Sequence, residues 1–438
     1  MKLKIVFNTL KQKLLKSSFY KDSAWAIVGN SIGSFLMLVA GIIIARFLGK
    51  ELYGEYGMVK VTMFNIAAFS TFGLSYTSTK FVAEYLAKKI EKVPSIARDA
   101  LYITLVTSSL LCVLVVVFAR PIALYCNAES LTMPFRVLGF LIIFRALSQV
   151  FAGIMGGFKL YKEQGINNIV SGLVFVIICV PFTYWGNLIG ALMALSIYQV
   201  LLSVLNGRTV YKSIAGLNAA RDNSSTMGLL VKFSIPVAGQ EFTYFLVSWL
   251  SPILITRYAS LGELGIYNAC AQWFAICLYI PGLLRNVSLS YLSTANGKPI
   301  DQISLVKRIL GINLVSCTAV FLIVLLFSKI IASFYGETFI GMERVLNVLI
   351  MSSIFQSVIV VFSDNMLAEG RNWQMFILRS LRDLLTIGLL AFVLIRISNE
   401  HAALSYAYIQ LAISVLYAVI LSLMYYFQHK KFRVEDEK

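Results

Sequence analysis

The chain has 438 residues, of which 58% are hydrophobic and only 13% are charged, and its formal net charge is +17. A soluble domain carries about 25% charged residues, so this composition excludes an ordinary soluble enzyme or binding domain. The positive charges lie in loops between apolar stretches, where they report topology, and they therefore do not indicate a nucleic-acid partner.

Apolar stretches of about 18–25 residues recur along the chain, each long enough to cross the hydrocarbon core of a bilayer as one helix. They predict an all-α polytopic membrane protein with about twelve transmembrane helices. In chain order, the predicted spans are 24–47, 58–74, 100–118, 138–155, 166–183, 188–205, 233–255, 267–287, 309–334, 346–367, 377–397 and 402–427.

The loops on the N-terminal side of the predicted membrane contain most of the 38 lysine and arginine residues. Because cytoplasmic loops are enriched in these residues, the asymmetry predicts an even number of spans and two cytoplasmic termini. Residues 1–23 lack an apolar core of the needed length and a small-residue cleavage site. This segment is therefore interpreted as a basic cytoplasmic arm and not as a signal peptide.

The chain also repeats itself weakly. Arg46 and Arg257 are each followed by Glu-Leu, a glycine and a tyrosine, which is Tyr56 in the first copy and Tyr267 in the second. A second echo relates the segment 159–161 to the segment 371–373 at nearly the same offset. Such duplication is typical of alternating-access carriers with a site between the halves near the midplane, although channels and enzymes can also be duplicated.

The repeat predicts two pseudo-symmetric six-helix bundles. The first covers residues 24–206 and the second covers residues 233–428, with a cytoplasmic linker at 207–232. A cytoplasmic tail follows at 429–438. An even number of helices in each half gives both halves the same orientation in the membrane.

Cations inside the predicted spans are candidate binding residues, because a charge at the bilayer centre costs at least about 2.5–3.5 kcal/mol. Lys60, Arg145 and Arg285 are the predicted substrate-binding residues of a cationic cavity. Such side chains bind phosphate through charge-assisted hydrogen bonds. The alternatives are an ion pair within the protein, or a long side chain that extends to the membrane surface.

A second group of candidates would line the cavity with polar groups or couple transport to an ion. It consists of Asn30, Asn65, Gln240, Glu241 and Asp364. Glu241 either pairs with Lys60 or Arg145 or binds a coupling cation, whereas amides within spans are more often contacts between helices. Arg46, Arg257 and Glu84 are interpreted as gate or interface residues.

Several kinds of chemistry are missing from the sequence. It has no phosphate-binding loop of the Gly-x-x-x-x-Gly-Lys-Ser/Thr type. Its histidines, His401 and His429, have no metal-ligand spacing. No loop is long enough to form a catalytic lobe. We therefore predict neither an enzyme nor a metal site.

Residues 45–56 (ARFLGKELYGEY) and 80–85 (KFVAEY) resemble the opening of polysaccharide-biosynthesis membrane proteins. These are the O-antigen and polysaccharide flippases of the multidrug/oligosaccharidyl-lipid/polysaccharide exporter superfamily. The resemblance extends to 234–236 and 265–268. It departs at 288–293, where such proteins often have a proline and this chain has none.

The resemblance implies a fold like that of multidrug and toxin extrusion transporters. It implies that an undecaprenyl-pyrophosphate-linked oligosaccharide is moved from the cytoplasmic to the periplasmic leaflet of the bacterial inner membrane. No cofactor is implied, and coupling to H⁺ or Na⁺ stays open. The implied partners are the lipid-linked oligosaccharide, membrane lipids, a polysaccharide polymerase and a chain-length regulator.

Three other functions remain open from the sequence. A cation-coupled multidrug exporter of the same superfamily would need acidic residues in its core. Here the acidic candidate Glu241 is accompanied by two basic candidates, Lys60 and Arg145. A scaffold for a polysaccharide assembly complex would leave the charges within the spans unexplained. A peptidoglycan-precursor flippase usually has two further helices, which the sequence does not show.

Overall fold

A computed structural model describes residues 18–217, 224–279, 281–282, 292, 299–396 and 401–436. Within these residues the chain is α-helical and contains no strand, which confirms the predicted all-α class. The main helices are α1 (Ser18–Ser70), α2 (Leu74–Lys88), α3 (Val93–Tyr125), α4 (Thr132–Leu138), α5 (Leu141–Gly157), α6 (Tyr161–Ala215), α7 (Met227–Tyr258), α8 (Leu261–Cys277), α9 (Pro299–Tyr335), α10 (Met342–Ala368), α11 (Asn372–Arg396) and α12 (Ala402–Asp436).

Among the described residues, six helices are long and apolar enough to cross a membrane. The number becomes seven if the two helical segments Glu129–Leu138 and Leu141–Gly157, which meet at a bend, together count as one span. These helices make the chain a multi-pass membrane protein. The count of twelve spans, the two six-helix bundles and the cytoplasmic termini stay predictions.

Helix α6 folds back on itself. A straight helix of its 55 residues would be about 80 Å long, more than twice the thickness of the hydrocarbon core. The helix breaks at Asn187, whose φ is 46° and ψ is −132°. Residues at equal distances from this break meet, since Asn167 donates a hydrogen bond to Asn206 at 2.9 Å. Helix α6 is therefore two antiparallel limbs, close to the predicted spans 166–183 and 188–205.

The chain divides into two compact units. Unit 1 comprises Met1–Phe47 and Val59–Trp249, and unit 2 comprises Leu48–Met58 and Leu250–Lys438. Helix α1 contributes to both units and breaks between its limbs at Gly49, whose φ of 69° favours glycine. The predicted domain limits stay predictions.

Helix α2 is an element that the predicted spans do not contain. It has 15 residues, too few to cross a bilayer, and its apolar face joins a core of unit 1 with α3, α5 and α6. Thr79 donates a hydrogen bond across to the carbonyl oxygen of Gly153 at 2.8 Å. Ser75 donates one to the carbonyl oxygen of Gln149 at 2.9 Å. Small residues and hydroxyl groups at such a crossing are typical of helices packed in membranes.

The second echo of the repeat has the same backbone structure in both copies. The end of α5 is closed by hydrogen bonds from Lys159 N to Gly156 O and from Leu160 N to Met155 O. The end of α10 is closed by the corresponding bonds, Gly370 N to Leu367 O and Arg371 N to Met366 O. Lys159 and Gly370 both have a positive φ, of 61° and 75°. This is the same Schellman-type helix end twice, which supports an origin by duplication.

The two copies of the first echo pack against each other within unit 2. A methyl group added at Gly54 would overlap the carbonyl oxygen of Leu261, and one added at Gly265 would overlap that of Lys50. Tyr53 and Tyr56 beside this crossing are almost fully buried. The glycines of the repeated motif therefore allow two backbones to approach closely, as small residues do in membrane helix pairs.

We expect Gly265→Val to lower the free energy of unfolding by at least about 1–3 kcal/mol, because the side chain would meet backbone that cannot rotate away. Gly311→Val is the matched control, since a methyl group added at Gly311 meets nothing within 4 Å. Thermal stability of both purified variants would be measured by fluorescence-detected size-exclusion chromatography. Equal melting temperatures for the two variants would contradict this account of the crossing.

Candidate functional site

Two of the predicted cations lie beside the same aromatic ring in unit 1. The Lys60 ammonium is 6.0 Å from the centroid of the Phe64 ring, and the Arg145 guanidinium carbon is 4.5 Å from it. Lys60 and Phe64 are one turn apart on α1, and Arg145 lies on α5. The fold thus brings together two positive charges that are far apart in sequence. We call Lys60, Phe64 and Arg145 the cationic site.

Phe64 offsets part of the energetic cost of placing two positive charges close together. The face of an aromatic ring carries a negative partial charge, and a cation within about 6 Å of its centroid gains about 0.5–2 kcal/mol. This gain offsets part of the repulsion between Lys60 and Arg145. Two cationic side chains beside one ring suit an anion.

Unit 1 contains buried polar atoms without a hydrogen bond, and one of them belongs to the cationic site. Within the part of the chain that the structure describes, Arg145 Nε, Asn65 Nδ2 and both amide atoms of Gln199 are buried and have no hydrogen-bond partner. A buried polar group left in this state costs about 1–3 kcal/mol. A polar ligand or water at the cationic site would satisfy Arg145 Nε.

Asn30 lies in a contact between helices. It accepts a hydrogen bond from the Asn168 amide at 2.7 Å, joining the first limb of α1 to α6. One residue earlier, Gly29 meets Gly165 so closely that a methyl group would overlap its backbone. The sequence did not single out Asn168, although an amide inside an apolar span is the signal that would have found it.

The remaining predicted cavity residues lie in unit 2 or outside the described parts of the chain. Asp364 is buried in α10 of unit 2 with 1% of its surface exposed. The side chains of Gln240 and Glu241 on α7, and the whole of Arg285, lie outside the described residues. Their predicted roles stay predictions.

The three predicted gate or interface residues lie on α1, α2 and α7. Arg46 is exposed, and Arg257 is half-buried with its guanidinium carbon 5.8 Å from the Tyr258 ring centroid. Glu84 pairs with Lys88 at 2.9 Å on the surface of α2. The hydrogen bond and the charge of Lys88 hold the pKa of Glu84 below its usual value. The predicted gate or interface role of these three residues stays a prediction.

Sequence reasoning missed a charged cluster in unit 2. Asp383 on α11 is only 5% exposed and accepts a hydrogen bond from Arg382 Nε at 2.8 Å. Arg379 Nε lies 3.9 Å from the same carboxylate, and the Arg382 guanidinium carbon lies 5.3 Å from the Tyr417 ring centroid. The charge pattern of the sequence assigns basic residues such as Arg379 and Arg382 to loops, where they report topology. Their position inside the predicted span 377–397, next to an aspartate, was the signal.

The described side chains of the cationic site suit binding of an anion. In the described ranges there is no group of three or more histidine, cysteine, aspartate or glutamate residues that could hold a metal ion. The predictions of no metal and no cofactor stay predictions. What the described side chains offer is two clustered cations, with an unsatisfied polar atom on Arg145, which suits recognition of an anionic, hydrogen-bonding group.

The sequence profile described as polysaccharide biosynthesis protein matches residues 19–282. The chain is similar to the "Putative O-antigen transporter" of Shigella flexneri, with 20% identity over 362 residues, 81% of this chain and 86% of that protein. It is also similar to stage V sporulation protein B of Bacillus subtilis (strain 168), with 24% identity over 276 residues. That match covers 59% of this chain and about half (53%) of the sporulation protein.

Solved structures show the same fold. An inward-facing multidrug resistance MATE family transporter of the MOP superfamily matches with a TM-score of 0.79 at 14% identity, over 93% of this chain and 99% of that one. The lipid II flippase MurJ in an inward closed conformation matches with a TM-score of 0.71 at 15% identity, over 90% of this chain and 86% of that one. The fold implied by the sequence resemblance is confirmed.

Proposed function

This chain belongs to the polysaccharide biosynthesis protein family, whose members are membrane transporters or flippases of the MOP superfamily, and from that premise we propose its substrate. The substrate is an undecaprenyl-pyrophosphate-linked oligosaccharide. The protein moves it from the cytoplasmic to the periplasmic leaflet of the bacterial inner membrane by alternating access, for O-antigen or another surface polysaccharide.

The observation that carries this proposal is the cationic site. Lys60 and Arg145 lie beside one aromatic ring, in a chain that belongs to the polysaccharide biosynthesis protein family. A pyrophosphate that leaves the membrane surface loses its hydration, and charge-assisted hydrogen bonds from lysine and arginine compensate that loss. In the proposed mechanism these two side chains receive the pyrophosphate while its hydrocarbon chain stays in an apolar surrounding.

Buried amides of unit 1 suit the sugar part of the substrate. Sugar hydroxyl groups donate and accept hydrogen bonds, and an amide side chain does both. Asn65 and Gln199 have unsatisfied polar atoms among the described residues. We propose that Gln199, which is fully buried, turns to a sugar hydroxyl group when substrate is bound.

A cation-coupled multidrug exporter is the competing function, because the fold is shared with such a transporter. An organic cation would be repelled by Lys60 and Arg145, which stand 6.0 and 4.5 Å from the Phe64 centroid. The charge of the site therefore favours the anionic, lipid-linked substrate. Coupling to H⁺ or Na⁺ through Glu241 or Asp364 is a further part of the proposal.

The experiment that tests the function is deletion of the gene, followed by analysis of surface polysaccharide and of lipid-linked intermediates in the membrane. We expect surface polysaccharide to disappear and the undecaprenyl-linked oligosaccharide to accumulate in the inner leaflet, with restoration by the wild-type gene. Unchanged polysaccharide together with increased drug sensitivity would contradict the proposal and support the exporter.

A further inference from the structure

Unit 2 contains a groove that the cationic site does not use. Helices α9, α10 and α12 enclose it, and its volume is about 590 Å³. Ligand pockets typically measure about 300–1,000 Å³, so the groove is large enough to hold part of a lipid chain. All of its lining residues belong to unit 2, and the groove is therefore defined without reference to unit 1.

The wall of the groove is apolar and aromatic. Its rings come from Phe355 and Phe362 on α10 and from Tyr425 and Tyr426 on α12, with the Phe362 and Tyr425 centroids 5.1 Å apart. The hydroxyl group of Ser422 donates to the carbonyl oxygen of Ala418 at 2.7 Å, so it offers the groove no free donor. Such a surface favours hydrocarbon and disfavours a sugar.

One cation lines the groove. Lys307 on α9 is exposed and forms no ion pair with any residue that the structure describes. The carboxylate of Glu369, which follows α10, is engaged elsewhere, since it accepts hydrogen bonds from Gln302 at 2.9 Å and from Asn365 at 2.8 Å. It also pairs with Arg371 at 3.3 Å. We infer that the charge of Lys307 can contact a phosphate at the groove.

Resting on the proposed function, we propose that this groove binds the polyprenyl chain of the substrate and that Lys307 contacts its phosphate. An apolar, aromatic groove that is lined by one cation matches a hydrocarbon chain with a phosphate at its end. The flat double bonds of an isoprenoid chain pack well against the four rings, as aromatic surfaces do with planar groups.

In this proposal the two units bind different parts of the substrate. Unit 1 would bind the charged head at Lys60 and Arg145, and unit 2 would retain the chain. With the termini on the cytoplasmic side, as proposed, the end of α9 that carries Lys307 lies at the inner leaflet, where the substrate is loaded.

The test measures binding of undecaprenyl phosphate, undecaprenol and phosphatidylglycerol to the purified full chain by native mass spectrometry. Val419→Trp fills the groove at a position that is 49% exposed, and Ile420→Trp adds the same bulk at the neighbouring residue outside the groove. We expect Val419→Trp to weaken undecaprenyl phosphate binding about tenfold, because it excludes apolar surface of the chain from the groove. Ile420→Trp should bind like wild type.

The phosphate contact is tested separately with Lys307→Gln, and Arg308→Gln is its control on the same helix. Lys307→Gln should weaken binding of undecaprenyl phosphate about fivefold and leave undecaprenol unchanged, because only the phosphate carries charge. Equal loss for both lipids would overturn the phosphate contact.

Two results would overturn the groove assignment. One is equal binding by Val419→Trp and Ile420→Trp, and the other is displacement of undecaprenyl phosphate by an equal concentration of phosphatidylglycerol. Neither result bears on the flippase function, which the gene deletion tests on its own. If deletion left surface polysaccharide intact while the groove still selected undecaprenyl phosphate, the proposed function alone would fail.

Discussion

Replacing Arg145 with alanine is expected to abolish surface polysaccharide while the protein remains folded and inserted. The guanidinium contributes charge-assisted hydrogen bonds, each worth about 1.5–3 kcal/mol, to a phosphate that has lost its water. Their loss slows translocation at least about tenfold if they act in the barrier-limiting step. Lys60→Ala should act in the same direction, because both cations flank Phe64. The measurement is surface polysaccharide in a deletion strain that carries each variant at wild-type protein level.

A matched control is available in the same unit. Arg120 lies on α3, where its side chain is 64% exposed and its guanidinium is 3.4 Å from the Glu129 carboxylate. Arg120→Ala should leave surface polysaccharide unchanged, since exposed ion pairs contribute little. Arg145→Lys should retain part of the function, because lysine keeps the charge but not the forked donors. Normal polysaccharide from both Arg145→Ala and Lys60→Ala would refute the role of the cationic site.

The sequence predicted which side chains form this site, and the reason is energetic. A lysine and an arginine inside apolar spans are costly unless they have a role, so Lys60 and Arg145 stand out without any structure. Their common position beside Phe64 was not predictable, because α1 and α5 meet through tertiary packing. Phe64 is one of 30 phenylalanines, and nothing local marks it as the ring between two cations.

Local backbone signals explain what the predicted spans missed. Helix α2 begins after Phe72 and Gly73, which have φ values of 47° and 74°, so the predicted span that ends at residue 74 stops too late. The apolar side of α2 is too short to stand out as a span, although Phe81 and Val82 are buried. Periodicity over a window of about 18 residues detects membrane spans, and it does not detect a short amphipathic helix.

The internal repeat was the most informative signal of the sequence. Its weak echo at residues 159–161 and 371–373 corresponds to two helix ends with the same hydrogen bonds. Lysine holds the positive φ in the first copy and glycine holds it in the second. The two copies kept the backbone conformation while the side chains diverged, because the conformation follows from the helix end and not from one residue type. The shared helix end agrees with the predicted repeat, with Lys159 corresponding to Gly370.

The second large effect is expected at Asp383, a residue that the sequence did not single out. Asp383→Leu should lower the free energy of unfolding by about 3–5 kcal/mol, because it leaves Arg382 partly buried without its carboxylate. The hydrogen bond at 2.8 Å and the second contact from Arg379 would both be lost. Thermal unfolding of the purified variant in detergent, followed by size-exclusion chromatography, measures the change.

The double variant Arg382→Met/Asp383→Leu distinguishes a lost interaction from lost packing. Replacing a whole buried pair with apolar residues is often neutral, so the double variant should regain most of the stability that Asp383→Leu loses. Glu84→Ala serves as the exposed control, since its partner Lys88 is 69% exposed, and no change in stability is expected. A double variant as unstable as Asp383→Leu would show that Asp383 acts through packing, and that the charge pair in α11 is not what stabilises unit 2.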